Sequence, residues 1–389
     1  MAATSAFAQS TVSITGAVDV SYGVKEVTSG TGTNLGKASG IAEGQNTANR
    51  INFFINEDLG GGQKAGAMFE TGMNITNGAL LSSRAAAGGL NVVNAGSTSA
   101  EIPTGAYSTG TNRQSYVFFG GSFGEVRAGY QYTNLYQVST LSGYMVGQEQ
   151  FGSLVHTIGN ATFGGTRANG ITYIAPKFGA FTATVQVGAA GDREDYTTDT
   201  AAGVNGVKEA AFKRNGIKID YAQGALNASY ARTNVSATTV LGTAATAADA
   251  LNIFGAAAST TAPAAAAYTG SLDQLGASYT IGALKLAGTY NSGKKDNATG
   301  DDVTYKSNNI GGIYTVGAAG FFASTGKGEV KTGASTMTND IKQSQYGIRY
   351  ALSKRTTAYV MHGESKDAQT AADKVAKATV TAFGLAHSF

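Results

Sequence analysis

Residues 113–133 read RQSYVFFGGSFGEVRAGYQYT. Two alternating runs flank the short turn GSFG at 121–124. In the second run Arg127 stands opposite Val126, Ala128 and Tyr130. That is the period-two pattern of a strand with one apolar and one polar face. A tight, glycine-bearing turn between two such runs predicts a β-hairpin.

The unit recurs along the whole chain. TVSITGAVDVSYGV (11–24) sets Val12, Ile14, Val18, Val20 and Tyr22 against Ser13, Thr15, Asp19 and Ser21. RINFFIN (50–56) sets Ile51, Phe53 and Ile55 against Arg50, Asn52 and Asn56. After the turn EDLGGGQ, KAGAMFETG (64–72) sets Ala65, Ala67 and Phe69 against Lys64 and Glu70. Further hairpins are predicted over 170–188, 215–232, 275–291, 309–326 and 345–363. The connections fall into two kinds. EDLGGG, SFG, KFG, AQG, IG, GAAG and SK are short. The segments 25–49, 76–112, 134–169, 191–213, 236–272, 294–306, 330–342 and 366–377 are long and polar. A soluble sandwich packs its apolar faces together, and no second apolar sheet is evident here. Short connections at one end and long ones at the other, with apolar faces turned outward, predict an all-β fold. It is a transmembrane antiparallel up-and-down β-barrel of about 16 strands.

The chain ends in AFGLAHSF, 382–389. Phe383, Leu385, His387 and Phe389 share one face, and Ala382, Gly384, Ala386 and Ser388 the other. Chain ends ordinarily fray. In lipid every backbone group must be paired, so the last strand is expected to bond the first, with Phe389 part of the wall.

Composition excludes other classes. Among 389 residues there are 54 Gly, 3 Pro, 19 Tyr and 17 Phe, with no Cys and no Trp. The absence of cysteine removes disulfides and cysteine metal sites. A net charge of +3 from 28 basic and 25 acidic residues is too balanced for a nucleic-acid binder. No run of about 18 apolar residues marks a membrane-spanning helix. Ala6-Phe7-Ala8 followed by Gln9 has the form of a signal-peptidase site. Residues 1–8 are therefore expected to be the remnant of a secretory signal, with 9–389 forming the barrel. No cofactor and no metal are expected, because the histidines 156, 362 and 387 are scattered. GTYNSGKK (288–295) approaches a phosphate-binding loop, but Lys295 replaces the Ser/Thr and Gly288 falls within a strand. No nucleophile–base spacing marks an enzyme. The Ala/Thr-rich stretch 236–267 is low complexity, with a short helix conceivable near 246–254.

The strands and short turns together resemble the general porins of Gram-negative bacteria, most closely the β-proteobacterial type. VSITGAVDVSYG, RINFFINEDLGGGQKAGAMFETG, NRQSYVFFGGSFGEVRAGYQYT, NGITYIAPKFGAFTATVQVG, YALSKRTTAYV and the terminal GLAHSF carry the resemblance. It implies a sixteen-stranded, trimeric diffusion channel in the outer membrane, and no enzyme. The implied partners are two further copies, the lipid bilayer with lipopolysaccharide, small hydrophilic solutes and anions, and the outer-membrane assembly machinery. That machinery is expected to read Phe383, Leu385, His387 and Phe389. In the family the connection between the fifth and sixth strands, here 134–169, folds into the barrel and narrows it.

Function in such a pore lies with the inward residues. Strand phase turns Arg50, Arg127, Arg349 and Lys64 inward, with Lys218 and Lys285, and with Asp19, Glu70 and Asp220 as inward acids. Arg113 and Arg167 sit at strand ends, where phase does not decide. Arg50 and Arg127 are expected to flank the segment 134–169, whose one acidic residue is Glu149. A basic wall facing a single acid predicts anion preference. Two alternatives stand beside it: a substrate-specific channel for small organic anions, and a non-conducting adhesin or structural barrel.

Overall fold

A two-faced strand in hydrocarbon must find a hydrogen-bonding partner on both edges, and the sheet meets this by closing on itself. The computed structural model describes residues 10–43, 46–73, 75, 80–81, 113–142, 167–190, 211–238, 267–334, 336–368 and 375–389. β1 (Thr11–Ser29), β2 (Asn34–Glu43), β3 (Arg50–Gly60), β4 (Gln63–Met73) and the two-residue β5 (Leu80–Leu81) come first. β6 (Gln114–Gly121) and β7 (Gly124–Tyr132) form a hairpin, followed by helix α1 (Asn134–Ser142). β8 (Arg167–Ile174), β9 (Phe181–Ala190), β10 (Ala211–Gln223), β11 (Leu226–Thr238), β12 (Tyr268–Ile281) and β13 (Leu284–Asn297) continue the wall. β14 (Val303–Val316), β15 (Ala319–Thr332), β16 (Thr336–Ala351), β17 (Thr356–Asp367) and β18 (Val375–Ser388) complete it.

The wall has sixteen positions. β2 and β3 bond the same edge of β1, at residues 20–28 and 11–17 respectively, and so act as one interrupted strand. β4 bonds β6 directly from Lys64 to Glu70, which leaves β5 outside the circuit. β1 and β18 close the barrel in antiparallel register, from Ala17 opposite Ser388 to Thr28 opposite Lys377. The ladder reaches the last residue: Gly16 N–H donates to the Phe389 carbonyl at 2.9 Å, and Phe389 N–H to Gly16 at 3.1 Å. The Phe389 ring lies over Gly16, where a Cβ would stand 2.4 Å from Cζ. Any side chain at 16 would displace the ring.

The burial pattern is inverted relative to a soluble protein. Val117, Ile310 and Phe383 are about 60% exposed on the outer face, while Asp19, Gln274 and Gln345 on the inner face are almost fully buried. Four of the short turns place glycine at their first central residue: Gly179, Gly224 (φ 59°), Gly282 (φ 55°) and Gly317. This is the position a type II′ hairpin turn reserves for it.

Three segments expected as loops continue largely as strand. β1 and β2 extend through 25–43, where Glu26 and Lys37 stand directly opposite and pair at 2.6 Å. β13 and β14 leave only 298–302 between them, and β15 and β16 only 333–335. Beyond the lipid, cross-strand charge pairs such as Lys377 of β18 with Glu364 of β17 (2.7 Å) replace apolar alternation as what the strand gains from pairing. A reading based on alternation therefore stops too early.

Candidate functional site

The inward face of β4 places Glu70 in the wall with its side chain 3% exposed. Its carboxylate accepts from Arg113 Nε at 2.6 Å, from Gln114 Nε2 at 2.8 Å, and from the Tyr132 hydroxyl at 3.2 Å to each oxygen. Arg50 Nε stands 3.8 Å away. The Tyr132 hydroxyl in turn accepts from Arg113 Nη2 at 3.1 Å and Arg167 Nη2 at 3.3 Å. The Arg167 guanidinium lies 4.7 Å from the Tyr132 ring centroid and 5.8 Å from that of Tyr136. Three arginines thus gather about one carboxylate. The register explains how: Glu70 pairs with Gln114, which leaves Arg113 just past the strand end and free to turn inward. Tyr132 pairs with Arg167 at the other hairpin edge.

Arg50 is oriented by a second contact set. The Asp19 carboxylate accepts the N–H groups of Asn46 at 2.6 Å and Thr47 at 2.7 Å, and the Tyr359 hydroxyl at 2.6 Å. This holds residues 46–49 against the inner wall. Arg50 Nη1 donates to Thr47 Oγ1 at 3.1 Å and to the Ala48 carbonyl at 2.8 Å.

α1 supplies the facing side. Thr133 caps it, its Oγ1 accepting from Tyr136 N–H at 3.1 Å. Leu135 and the fully buried Val138 pack on Ala231, Val235 and Leu272, which point inward from β11 and β12. Gln274 Nε2 donates to Ser139 Oγ at 2.9 Å. The approach is close enough that a Cβ on Gly276 would lie 2.8 Å from Val138 Cγ1. Tyr132 and Tyr136 stack at 4.4 Å. Between α1 and the wall lies a cavity of about 420 Å³, lined by Arg50, Glu70, Arg113, Tyr132, Tyr136 and Gln137 among others.

The other sequence-predicted residues divide. Lys64 and Arg127 both bind Glu125, at 2.6 Å and 2.7 Å. Lys64 and Glu70 are six residues apart on β4, about 20 Å along a strand. The structure does not bring Arg127 to α1 with Arg50: Arg127 lies three residues past the short turn, at the opposite end of β7 from α1, and the stretch 143–166 of the segment it was expected to flank lies outside the described residues. Arg349 packs its guanidinium 5.1 Å from the Phe322 ring. Its Nε and Nη2 donate to no group among the described residues. Glu149, and the rest of 134–169 beyond Ser142 as far as 166, lie outside the described residues, as do residues 1–9 and the stretch 239–266. Phe383, Leu385 and Phe389 are 59%, 42% and 41% exposed on the outer face of β18. His387 Nδ1 shares a 2.9 Å hydrogen bond with Thr356 Oγ1.

Sequence reasoning missed Gln114 and Tyr132 as members of the cluster. Tyr132 follows Tyr130 by two and by phase belongs outside; it turns in because the chain bends into α1 at Thr133. An Arg at each neighbouring strand end beside an inward Glu was the available signal.

A family model for Gram-negative porins matches residues 1–370. An anion-selective porin from Comamonas acidovorans superimposes with a TM-score of 0.67 at 21% identity, covering 98% of this chain and 100% of that one. OmpT of Vibrio cholerae in its trimer form gives 0.61 at 14% identity, over 98% and 99% of the two chains. OmpF of Salmonella typhi in complex with daunomycin gives 0.58 at 14%, over 97% of each. At these identities the likeness is one of fold. No curated protein matches the chain.

Proposed function

The chain belongs to the Gram-negative porin family, and from that premise we propose that it is an anion-preferring diffusion channel whose selectivity is set at the Glu70 cluster. As a porin it is an outer-membrane channel for small hydrophilic solutes and ions. The observation that carries the finer reading is three guanidinium groups, Arg50, Arg113 and Arg167, around the single carboxylate of Glu70 beside the cavity under α1. The excess positive charge attracts anions and repels cations over about a Debye length, roughly 10 Å at 0.1 M salt. Fixed donors replace part of a passing ion's hydration without a catalytic step.

In this reading the segment 134–169 is the inward constriction, with α1 its first turns, and Glu149 is a second acid opposing the arginines. Three copies assemble through outward apolar faces, as the trimer form of the Vibrio protein suggests. The last strand is the feature read by the assembly machinery. The deciding experiment is the reversal potential of single channels in a potassium chloride gradient. Chloride preference that falls in Arg50→Glu is the expected result. Strong potassium preference in the wild type would remove the reading, and absence of any conductance would favour a closed structural barrel.

The stacked pair Tyr132–Tyr136 under Arg167 is the one feature that favours a channel for small organic anions. Vesicle swelling with sugars of graded size separates the two: a general porin passes them by size alone.

A further inference from the structure

Phe54 breaks the inverted pattern of the wall. The well-exposed large apolar side chains on the described strands face lipid, with one exception among them. Phe54 takes the inward phase of Arg50 and Asn52, yet it is 38% exposed. An exposed phenyl ring is at home against hydrocarbon and unfavourable in a water-filled lumen. Packing accounts for part of the ring. It stacks on Phe118 at 5.4 Å with the two planes 4° apart. Phe118 fills a gap of its own: it lies over Gly66, where a Cβ would stand 2.7 Å from its Cζ, and it is buried. The rest of Phe54 stays open to the lumen.

The register extends this surface. Phe54 stands opposite Met68, and Met68 opposite Tyr116, so the three form one inward apolar rung across β3, β4 and β6. Cations stand to either side of it. Toward α1, Arg50 is four residues from Phe54 on β3, about 13 Å of strand. Toward the short turn, Lys64 is four residues from Met68 on β4. The lower side is largely answered within the chain. Lys64 and Arg127 share Glu125, and they lie 5.4 Å and 5.1 Å from the ring centroids of Phe118 and Tyr116. The upper side is not. Arg50 uses Nη1 on Thr47 and Ala48 and turns Nε toward Glu70, which leaves Nη2 without a partner among the described residues. Arg50, Asn52 and Met68 all line the cavity of about 420 Å³.

We propose that Phe54, Met68 and Arg50 form a subsite for aromatic carboxylates, the ring packing on Phe54 and Met68 and the carboxylate accepting from Arg50. A ring laid on Phe54 gains a stacked contact and covers the apolar surface that water otherwise meets. The Met68 thioether suits a ring edge. The guanidinium supplies a charge-assisted hydrogen bond to the carboxylate. An aliphatic acid finds the charge without the surface, and a neutral aromatic the surface without the charge. The separation along β3 favours an acid whose ring and carboxylate are parted by a short chain, as in 3-phenylpropanoate, over benzoate. The inference rests on the channel reading, because solutes reach this rung through an open lumen.

The test is equilibrium dialysis of the full chain in detergent against 3-phenylpropanoate, propanoate and 3-phenylpropan-1-ol. One detergent concentration is used throughout, so that partition into micelles is common to every sample. Wild type is expected to bind 3-phenylpropanoate more tightly than either of the other two. Phe54→Ser is expected to weaken that binding about ten-fold, and Phe54→Tyr to keep it. Arg50→Gln is expected to weaken the acid and leave the alcohol unchanged. Heat-dependent gel migration checks folding. Met68→Thr, with an expected loss of about three-fold, reads the same rung if Phe54→Ser does not fold. Equal affinity of wild type and the folded rung variant for 3-phenylpropanoate overturns the proposal. So does propanoate binding as tight as that of 3-phenylpropanoate, or a loss in Lys64→Gln with none in Arg50→Gln. A wild type that conducts but does not distinguish the two acids fails this inference alone. A wild type without conductance fails the channel reading, which the electrical record shows separately.

Discussion

Glu70 determines how much of the lumen's positive charge a passing ion meets. Its carboxylate is the one acid among Arg50, Arg113 and Arg167 in the described cluster. Glu70→Gln is expected to raise the chloride-to-potassium permeability ratio several-fold at 0.1 M salt. It also leaves Arg113 buried without its partner, a change that typically costs about 3–5 kcal/mol. A lower temperature of heat conversion on gels reads that cost. A fall in chloride preference would show that the cluster does not set the field. Arg50→Glu acts in the opposite direction. Two unit charges 4 Å apart interact by about 1 kcal/mol in water and about 4 kcal/mol at an effective dielectric near 20. The 3.8 Å contact between Arg50 and Glu70 in a wet lumen lies between these limits. The shift in reversal potential is expected to be larger at 0.1 M than at 1 M salt, where screening shortens to about 3 Å. Arg127→Glu is expected to shift it less than Arg50→Glu, because Arg127 is already answered by Glu125 at 2.7 Å. Equal shifts from the two would return Arg127 to the constriction.

Two elements bear on function through close approach. α1 sits on β12 where Gly276 leaves room for Val138. Gly276→Val places a branched side chain into that contact and is expected to push α1 off the wall while the barrel still forms. Larger single-channel conductance, and faster vesicle swelling with larger sugars, are the expected outcomes; wild-type values for both would deny α1 a part in the narrowing. β18 closes the barrel with Phe389 over Gly16. Phe389→Asp puts a charge where the aromatic ring faces lipid and is expected to abolish heat-modifiable protein in the outer membrane. Normal amounts of folded protein would show that neither the ring nor its packing is needed for assembly.

At the scale of the molecule, closure is the dominant constraint. Sixteen wall positions close the sheet on itself, and the apolar atoms that would form a core in a soluble protein face outward instead. The apolar outer faces of β1 and β18, with Val12, Ile14 and Leu385 among their exposed residues, are where further copies are expected to pack. Unheated protein in mild detergent is expected to scatter light as a trimer. A one-chain mass there, with conductance retained, would make each barrel an independent channel.

The sequence by itself determined the strand count, the direction of each strand's faces and the closing role of Phe389. All three follow from period-two alternation, which local residue order expresses directly. It also placed Arg50, Lys64, Arg127, Arg349, Asp19 and Glu70 on the inner face, since phase within a strand needs no knowledge of the rest of the chain. What phase cannot supply is height and partnership. Arg50 and Arg127 have the same sign and face, yet one stands with Glu70 and the other with Glu125 near the short turns. That separation comes from the register between strands, which is set by pairing across the sheet. Arg113 and Tyr132 lie at strand ends, where the backbone leaves the ladder and a side chain turns toward its charge partner. The rung Phe54–Met68–Tyr116 is drawn from positions 14 and 48 residues apart in sequence. Only the antiparallel register brings them side by side, because contact between strands is fixed by hydrogen bonding across the wall and not by separation along the chain.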